Sequence, residues 1–260
     1  IPDLKAQELD ERKQRKQEAK KKYEEAKQEG DEQKMRKFAK QHSKLTPDMI
    51  DEAKKLIDAL GQVWLQAPSE GEAQASHIVA NNDAYAVISQ DADCFLFGAP
   101  RLVKNLTITG KRKLPGKQAY TTIKPELLTL ADTLNELGID QEQLIALAML
   151  VGTDFNPKGI HGIGPKTAIK LVTKHGHDFE SLFTDAKWND HFDIPWQRVM
   201  DSFTEMPVTD EYDITFSDPN ENAVNELLVH GHDFDEERVQ TTLNDLEQAL
   251  SYKQKGLGEF

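Results

Sequence analysis

Apolar positions along this chain follow two different periods. Met49, Ile50, Ala53, Leu56, Ile57 and Leu60 have the one-face spacing of an amphipathic helix. Thr46-Pro47 supplies its start, with Thr as N-cap and Pro in the first turn, and Gly61 its stop. Short continuous apolar runs then occur at Val63-Trp64-Leu65, at 84–88 and at 101–106, and read as buried strands. Helical patterns lie between and after them. Pro68-Ser69 leads into one over 70–80, and residues 122–137 contain another. Asp140 caps a third, carrying Leu144, Ile145, Leu147, Ala148, Leu150 and Val151 and ended by Gly152. Strands alternating with helices predict an α/β fold with a twisted, mostly parallel sheet flanked by helices. After Asp154 the strand signal fades and helices dominate.

The front of the chain has a different character. Residues 4–28 are rich in Lys, Arg, Gln, Glu and Ala, Gly30 interrupts, and the same chemistry resumes from Asp31. This predicts two exposed helices with almost no core face. Charge follows the same division. The whole chain carries 32 Lys+Arg against 45 Asp+Glu, a net of −13, yet residues 1–40 hold 13 basic and 10 acidic residues. A weakly basic arm on an acidic body suits a molecule that grips an anion with one part and concentrates carboxylates in another. No apolar run approaches the roughly 18 residues of a membrane helix, so no membrane partner is expected. The opening Ile1-Pro2-Asp3-Leu4-Lys5 runs into charge and shows no signal peptide. A single cysteine, Cys94, excludes an internal disulfide and a cysteine zinc site, and favours a reducing, intracellular setting.

Three acidic clusters fall where chain geometry makes carboxylates converge. The first is Glu70-Gly71-Glu72 at a helix start, where Ser69 and Glu72 also have the spacing of a capping box. The second is Asp91-Ala92-Asp93, directly after the 84–88 strand. Carboxylates there lie at the carboxyl edge of a sheet, where open α/β sheets bind ligands; a polar turn with an Asx cap is the other reading of the pair. The third is Asp154 in Gly152-Thr153-Asp154, otherwise a local turn residue. Oxygen-only donors suit Mg²⁺ or Mn²⁺, and several carboxylates in one cleft point to two-metal phosphodiester hydrolysis. Next comes Gly159-Ile160-His161-Gly162-Ile163-Gly164-Pro165-Lys166-Thr167-Ala168. Its glycines permit close backbone approach, Pro165 starts a helix whose free N–H groups bind an anion, and Lys166 adds a charge. Such a cradle reads backbone phosphate and not base sequence. The string His-Gly-His-Asp-Phe occurs at 175–179 and again at 230–234; each Gly is expected to end a helix and each Phe to pack, without a metal.

Taken together, Ala67-Pro68-Ser69-Glu70-Gly71-Glu72-Ala73, Ser89-Gln90-Asp91-Ala92-Asp93, Phe97-Gly98-Ala99-Pro100-Arg101, Val151-Gly152-Thr153-Asp154-Phe155-Asn156 and the 159–168 hairpin resemble the flap endonucleases and their structure-specific 5′-nuclease relatives, the archaeal members above all. The resemblance implies a PIN-like, Rossmann-like nuclease core. It implies a helical arch at 1–45, an acidic core at 46–155, a helix–two-turn–helix lobe at 156–250 and a sliding-clamp-binding tail at 251–260. Glu70, Glu72, Asp91, Asp93 and Asp154 would hold two Mg²⁺ ions, with Mn²⁺ as a substitute. Lys5 and Arg12, two turns apart on one helix face, would neutralise the scissile phosphate. Gly162, Gly164, Lys166 and Thr167 would hold duplex DNA, with K⁺ at the hairpin. Gln254, Leu257 and Phe260 would contact a PCNA-like clamp. The implied substrate is branched, flapped DNA in replication and repair, cut as a 5′ flap or from a 5′ end. The implied location is the cytoplasm if the source is archaeal and the nucleus if eukaryotic. Family members also carry an upstream segment with further strands and two more aspartates. Without it, the alternative reading is a non-catalytic duplex-binding fragment.

Overall fold

The computed structural model describes residues 5–42, 45–106, 110–113 and 120–256. Contacts divide the chain into two compact units, residues 1–38 with 67–210, and residues 39–66 with 211–260.

The first unit opens with α1 (Ala6–Glu29), which ends at Gly30 in the left-handed conformation, φ 70°. α2 (Glu32–His42) follows and runs past the limit of this unit. The predicted break at Gly30 is therefore where the chain turns. α4 (Gly71–Ala80) precedes β1 (Val87–Ile88), and β2 (Arg101–Lys104) lies parallel to β1, pairing Val87 with Leu102 and Ile88 with Val103. β3 (Gly110–Lys113) and β4 (Tyr120–Ile123) form a separate antiparallel ribbon, and β5 (Glu126–Thr129) returns antiparallel to β2. The α/β class stands, but the sheet is small and mixed, in the order β1-β2-β5. Parallel neighbours need a long crossover, whereas the β3–β4 ribbon lets the chain come back the other way. That ribbon and β5 lie inside what the sequence pattern offered as loop and helix.

α5 (Leu130–Leu137) and α6 (Gln141–Val151) follow, then α7 (Pro165–His175), α8 (Phe179–Asp185), α9 (Trp188–His191) and α10 (Trp196–Thr204). Asp140 caps α6 as expected, in a reciprocal capping box with Gln143. The core of this unit centres on Phe95, Leu102, Ile145, Met149, Leu150, Phe183, Trp188 and Phe203. Leu102 of the sheet and the α6 side chains thus share one apolar interior, which fixes the ends of β1 and α6 against each other.

In the first His-Gly-His-Asp-Phe copy the expected helix end and packed ring are both present. Gly176 ends α7 at φ 60°, Asp178 accepts from the N–H of Ser181, and Phe179 packs beside Trp196. His177 pairs with Asp140 at 2.7 Å. The second copy departs from this. Gly231 has a negative φ and Phe234 is half exposed.

The second unit contains α3 (Pro47–Ala59), α11 (Glu221–Asn225) and α12 (Glu236–Gly256). Its small core joins Ala59, Val224, Val239 and Leu243. Thr46 caps α3 through the Met49 N–H. Gly61, at φ +67°, has Ser217 backbone where a Cβ would stand. The strand expected at Val63-Trp64-Leu65 is not formed. Trp64 instead donates to Asp58 at 3.0 Å and lies under the Lys54 ammonium, 4.1 Å from the ring centre. Trp64 thus finds its partners on α3 and not on a neighbouring strand. No helix among the described residues is long and apolar enough to cross a membrane.

Candidate active site

Each acidic cluster lies at the end of an element of the first unit. Glu70 occupies the N-cap position of α4 without making a side-chain cap, so the Ser69–Glu72 capping box is not formed. Its carboxylate is committed elsewhere: the Lys5 ammonium donates to Glu70 Oε2 at 2.8 Å. The same Lys5 Nζ lies 3.0 Å from Asp154 Oδ2 and 5.4 Å from the centre of the Phe155 ring. Residues far apart in sequence therefore meet at one cation. The Lys5 side chain is only 14% exposed. Burial alone would pull its pKa down, but hydrogen bonds and charges from Glu70 and Asp154 outweigh this and raise it.

Asp91 and Asp93 sit just beyond β1, in the connection to β2. The Asp91 N–H donates to Ser89 Oγ, and the Asp93 N–H to Asp91 Oδ1 at 3.2 Å. The Asx-type turn is thus real, and it coexists with the crowding of carboxylates. The Asp93 carboxyl is pushed up to about 6, first by desolvation and then by the negative charges of Asp91, Asp154 and Glu72. Four of the five expected carboxylates therefore act on one another, and Lys5 links the fifth, Glu70, to Asp154.

Several residues that the motif reading passed over hold this arrangement. Ser76 is fully buried and its hydroxyl reaches Glu72 O at 2.6 Å and Cys94 O at 3.1 Å. It ties the helix of Glu72 to the turn of Asp93. Gln141 donates to the carbonyls of Phe95 and Leu96, anchoring the far side of that turn to α6. Asn156 is 2% exposed. It accepts from Thr153 Oγ1 at 2.7 Å and donates to Met149 O at 2.6 Å, bracing the loop that carries Asp154. The signal for such residues is a polar side chain inside an apolar pattern, as at Ser76 and Asn156, but only the fold names the partner.

The donor set fits hard divalent ions. It is all oxygen, it is anionic, and its crowding is costly without positive charge. Among the described residues no three such side chains close on one point as a finished ligand shell; Lys5 supplies the counter-charge. Arg12 lies on α1, with its side chain outside the described residues.

The glycine hairpin connects α6 to α7 in the same unit. Gly152 (φ 119°) and Gly159 (φ 57°) cross so closely that a Cβ on Gly159 would stand 2.3 Å from the Val151 carbonyl carbon. Ile160 donates its N–H to Leu150 O and is buried, which pins the hairpin to the core. Gly162 has φ +87°, with open space at its Cβ position. Gly164 precedes α7 with no side-chain cap, and Pro165 fills the first turn. Gly164, Lys166 and Thr167 are exposed. The result is an open helix N-terminus with a lysine beside it, a ready anion site. Gln254 lies on α12 with its side chain outside the described residues, and Leu257 and Phe260 lie outside them as well.

Residues 61–154 match the XPG I-region family. A flap endonuclease 1 from Aeropyrum pernix is 46% identical over 256 residues, 98% of this chain and 73% of the relative. The flap endonuclease 1 of Pyrococcus furiosus is 46% identical over 249 residues, 96% of this chain and 72% of the relative. The chain belongs to the flap endonuclease family. Membership makes it a nuclease, a hydrolase acting on DNA, in a family that is metal-dependent, generally on Mg²⁺. The solved flap endonuclease-1 from Methanococcus jannaschii is 34% identical, with a TM-score of 0.69 over 86% of this chain and 65% of that one. The chain therefore spans just under two thirds of that structure and nearly three quarters of the relatives above. The catalytic core of Rad2, solved with a DNA substrate, matches at 24% identity and a TM-score of 0.61, over 78% of this chain and 71% of that one. At that identity the likeness speaks for the fold. The fold it speaks for is the PIN-like α/β arrangement of this flap endonuclease.

Proposed function

We propose that this chain carries the cutting and duplex-gripping parts of a structure-specific 5′ flap endonuclease, which also degrades from a free 5′ end, acting on branched DNA in replication and repair. The observation that carries the reading is Lys5 lodged between Glu70 and Asp154 beside the raised carboxyl of Asp93. Glu70, Glu72, Asp91, Asp93 and Asp154 are the proposed holders of two Mg²⁺ ions, with Mn²⁺ as substitute. When bound, the ions supply Lewis-acid activation of water and neutralise charge on the phosphate.

The chain's own groups do the rest. The Lys5 ammonium, joined by Arg12, receives the scissile phosphate and offsets charge that grows during displacement. The Phe155 ring lies beside Lys5, its centre 5.4 Å from the ammonium, and walls one side of it. The α7 N-terminus at Gly164, with Gly162, Lys166 and Thr167, takes a backbone phosphate of the duplex, and K⁺ is the proposed bridging ion there. Contacts of this kind recognise branch shape and not sequence. Residues 1–45 are the proposed arch over the 5′ flap, 46–155 the acidic core, and 156–250 the lobe on the duplex. The tail at 251–260 is the proposed clamp-binding peptide, with Gln254, Leu257 and Phe260 facing a PCNA-like ring.

The test is cleavage of a labelled 5′-flap duplex with Mg²⁺, with EDTA, and with Asp91→Asn. Cutting at the flap base that needs Mg²⁺ and is lost in the variant while DNA binding persists supports the enzyme reading. Binding without cutting, even with an upstream family segment supplied, supports the duplex-binding module. In either case affinity should fall steeply between low and moderate salt.

A further inference from the structure

Lys5 makes two contacts that a phosphate-steering residue does not need before DNA arrives. Its Nζ is 2.8 Å from Glu70 Oε2 and 3.0 Å from Asp154 Oδ2, and both carboxylates are proposed ion ligands. Its side chain is largely buried, while that of Asp154 is 36% exposed, so water screens these contacts only in part. A carboxylate oxygen engaged by an ammonium is poorly available to a cation of higher charge. Ions and lysine therefore compete for the same oxygens.

We propose that Lys5 is an internal counter-ion, holding Glu70 and Asp154 in the DNA-free protein and surrendering them to divalent cations as these bind. The idea rests on the proposed function only in taking those carboxylates as ion ligands. Its consequence is an order of events. Lys5 directly precedes α1 (Ala6–Glu29), so the start of that helix is tethered to the carboxylates while no ion is present. Cation binding releases the ammonium and makes it available to a phosphate. Lys5 thus offsets part of the crowded negative charge until divalent cations offset more of it.

Two measurements on DNA-free protein test it, with Mn²⁺ alone as the probe. Free Mn²⁺ is read by electron paramagnetic resonance as protein is titrated. Lys5→Met should bind Mn²⁺ about fivefold more tightly than the native chain, the size of one lost charge competitor in a partly screened site. Lys158→Gln, which removes an exposed lysine paired with Glu11, should match the native chain. In the second measurement the native protein is acetylated briefly and analysed by mass spectrometry. Labelling of Lys5 should be slow without ions and several-fold faster with Mn²⁺, while Lys158 labels equally in both. Unchanged or weaker Mn²⁺ binding by a folded Lys5→Met, or Lys5 labelling indifferent to Mn²⁺, overturns the proposal. If Lys5→Met does not fold, the labelling result decides alone. Neither readout involves cutting, so the exchange can stand where the nuclease reading fails, and the reverse.

Discussion

The acidic pocket and the glycine hairpin belong to one unit and are joined by α6, yet they are built on opposite principles. The pocket is made of side chains in conflict. Burial, and after it the charges of Asp91, Asp154 and Glu72, raises Asp93 to about 6, and Lys5 restrains part of the crowded charge. The hairpin is made of backbone with nothing in conflict. Its glycines remove side chains so that strands of chain can cross, and the exposed end of α7 offers N–H groups. The contrast teaches which changes each can bear. The pocket should tolerate altered volume and fail on altered charge. The fold of the hairpin should tolerate altered charge and fail on a single added methyl where the backbones cross.

The sharpest break of that contrast is a charge change of constant size. Asp154→Asn should lower flap cleavage about 1,000-fold, the scale of losing one preorganised electrostatic group. Duplex affinity, measured by fluorescence anisotropy, should change less than about twofold because the hairpin is untouched. Next is the smallest possible volume change. Gly159→Ala drives a Cβ into the Val151 carbonyl at a positive φ and should cost about 3 kcal/mol, a Tm loss of roughly 6–12 °C by calorimetry. Gly164→Ala meets only open space and should stay within about 0.5 kcal/mol. Equal losses at the two glycines would break the account of the hairpin.

A third change probes the brace between the two regions. Asn156→Ala removes the acceptor of the Thr153 hydroxyl and the side-chain donor to Met149 O and should cost about 2 kcal/mol in urea unfolding. The smallest expected effect concerns pH. Asp93 has a folded-state pKa raised above its ordinary value, so the folded protein holds that proton more tightly than the unfolded chain. Its contribution is favourable below the ordinary carboxyl range and is lost as pH rises through about 6. Without metal, Asp93→Asn should raise Tm by about 2–4 °C at neutral pH, a gain that disappears near pH 4. A gain that is the same at both pH values would show that packing, and not charge crowding, shapes the pocket.

Local chemistry made much of this legible in advance. Thr46, Asp140 and Gly30 mark helix boundaries because capping depends on neighbours within a turn. The hairpin from Gly159 to Lys166 was readable for the same reason. Where the sequence misled, the answer lay at a distance. Val63-Trp64-Leu65 has the apolarity of a strand, but Lys54 and Asp58 of α3 satisfy Trp64. Ser69 and Glu72 have capping-box spacing, but Lys5 claims Glu70 from 65 residues away.

Sequence alone determined which groups this protein has available: five acidic side chains at element ends, glycines in a hairpin order, and a basic arm. Short-range sterics and hydrogen bonding suffice to fix those features. Only the tertiary structure decided that Lys5 bridges Glu70 and Asp154, that Asp93 bears the cost of its neighbours, and that Ser76 and Asn156 hold the loops in place. Those facts depend on how α4, α6 and the turn after β1 pack on a shared apolar core, and Coulomb energy and buried hydrogen bonds vary with distances that no local pattern encodes.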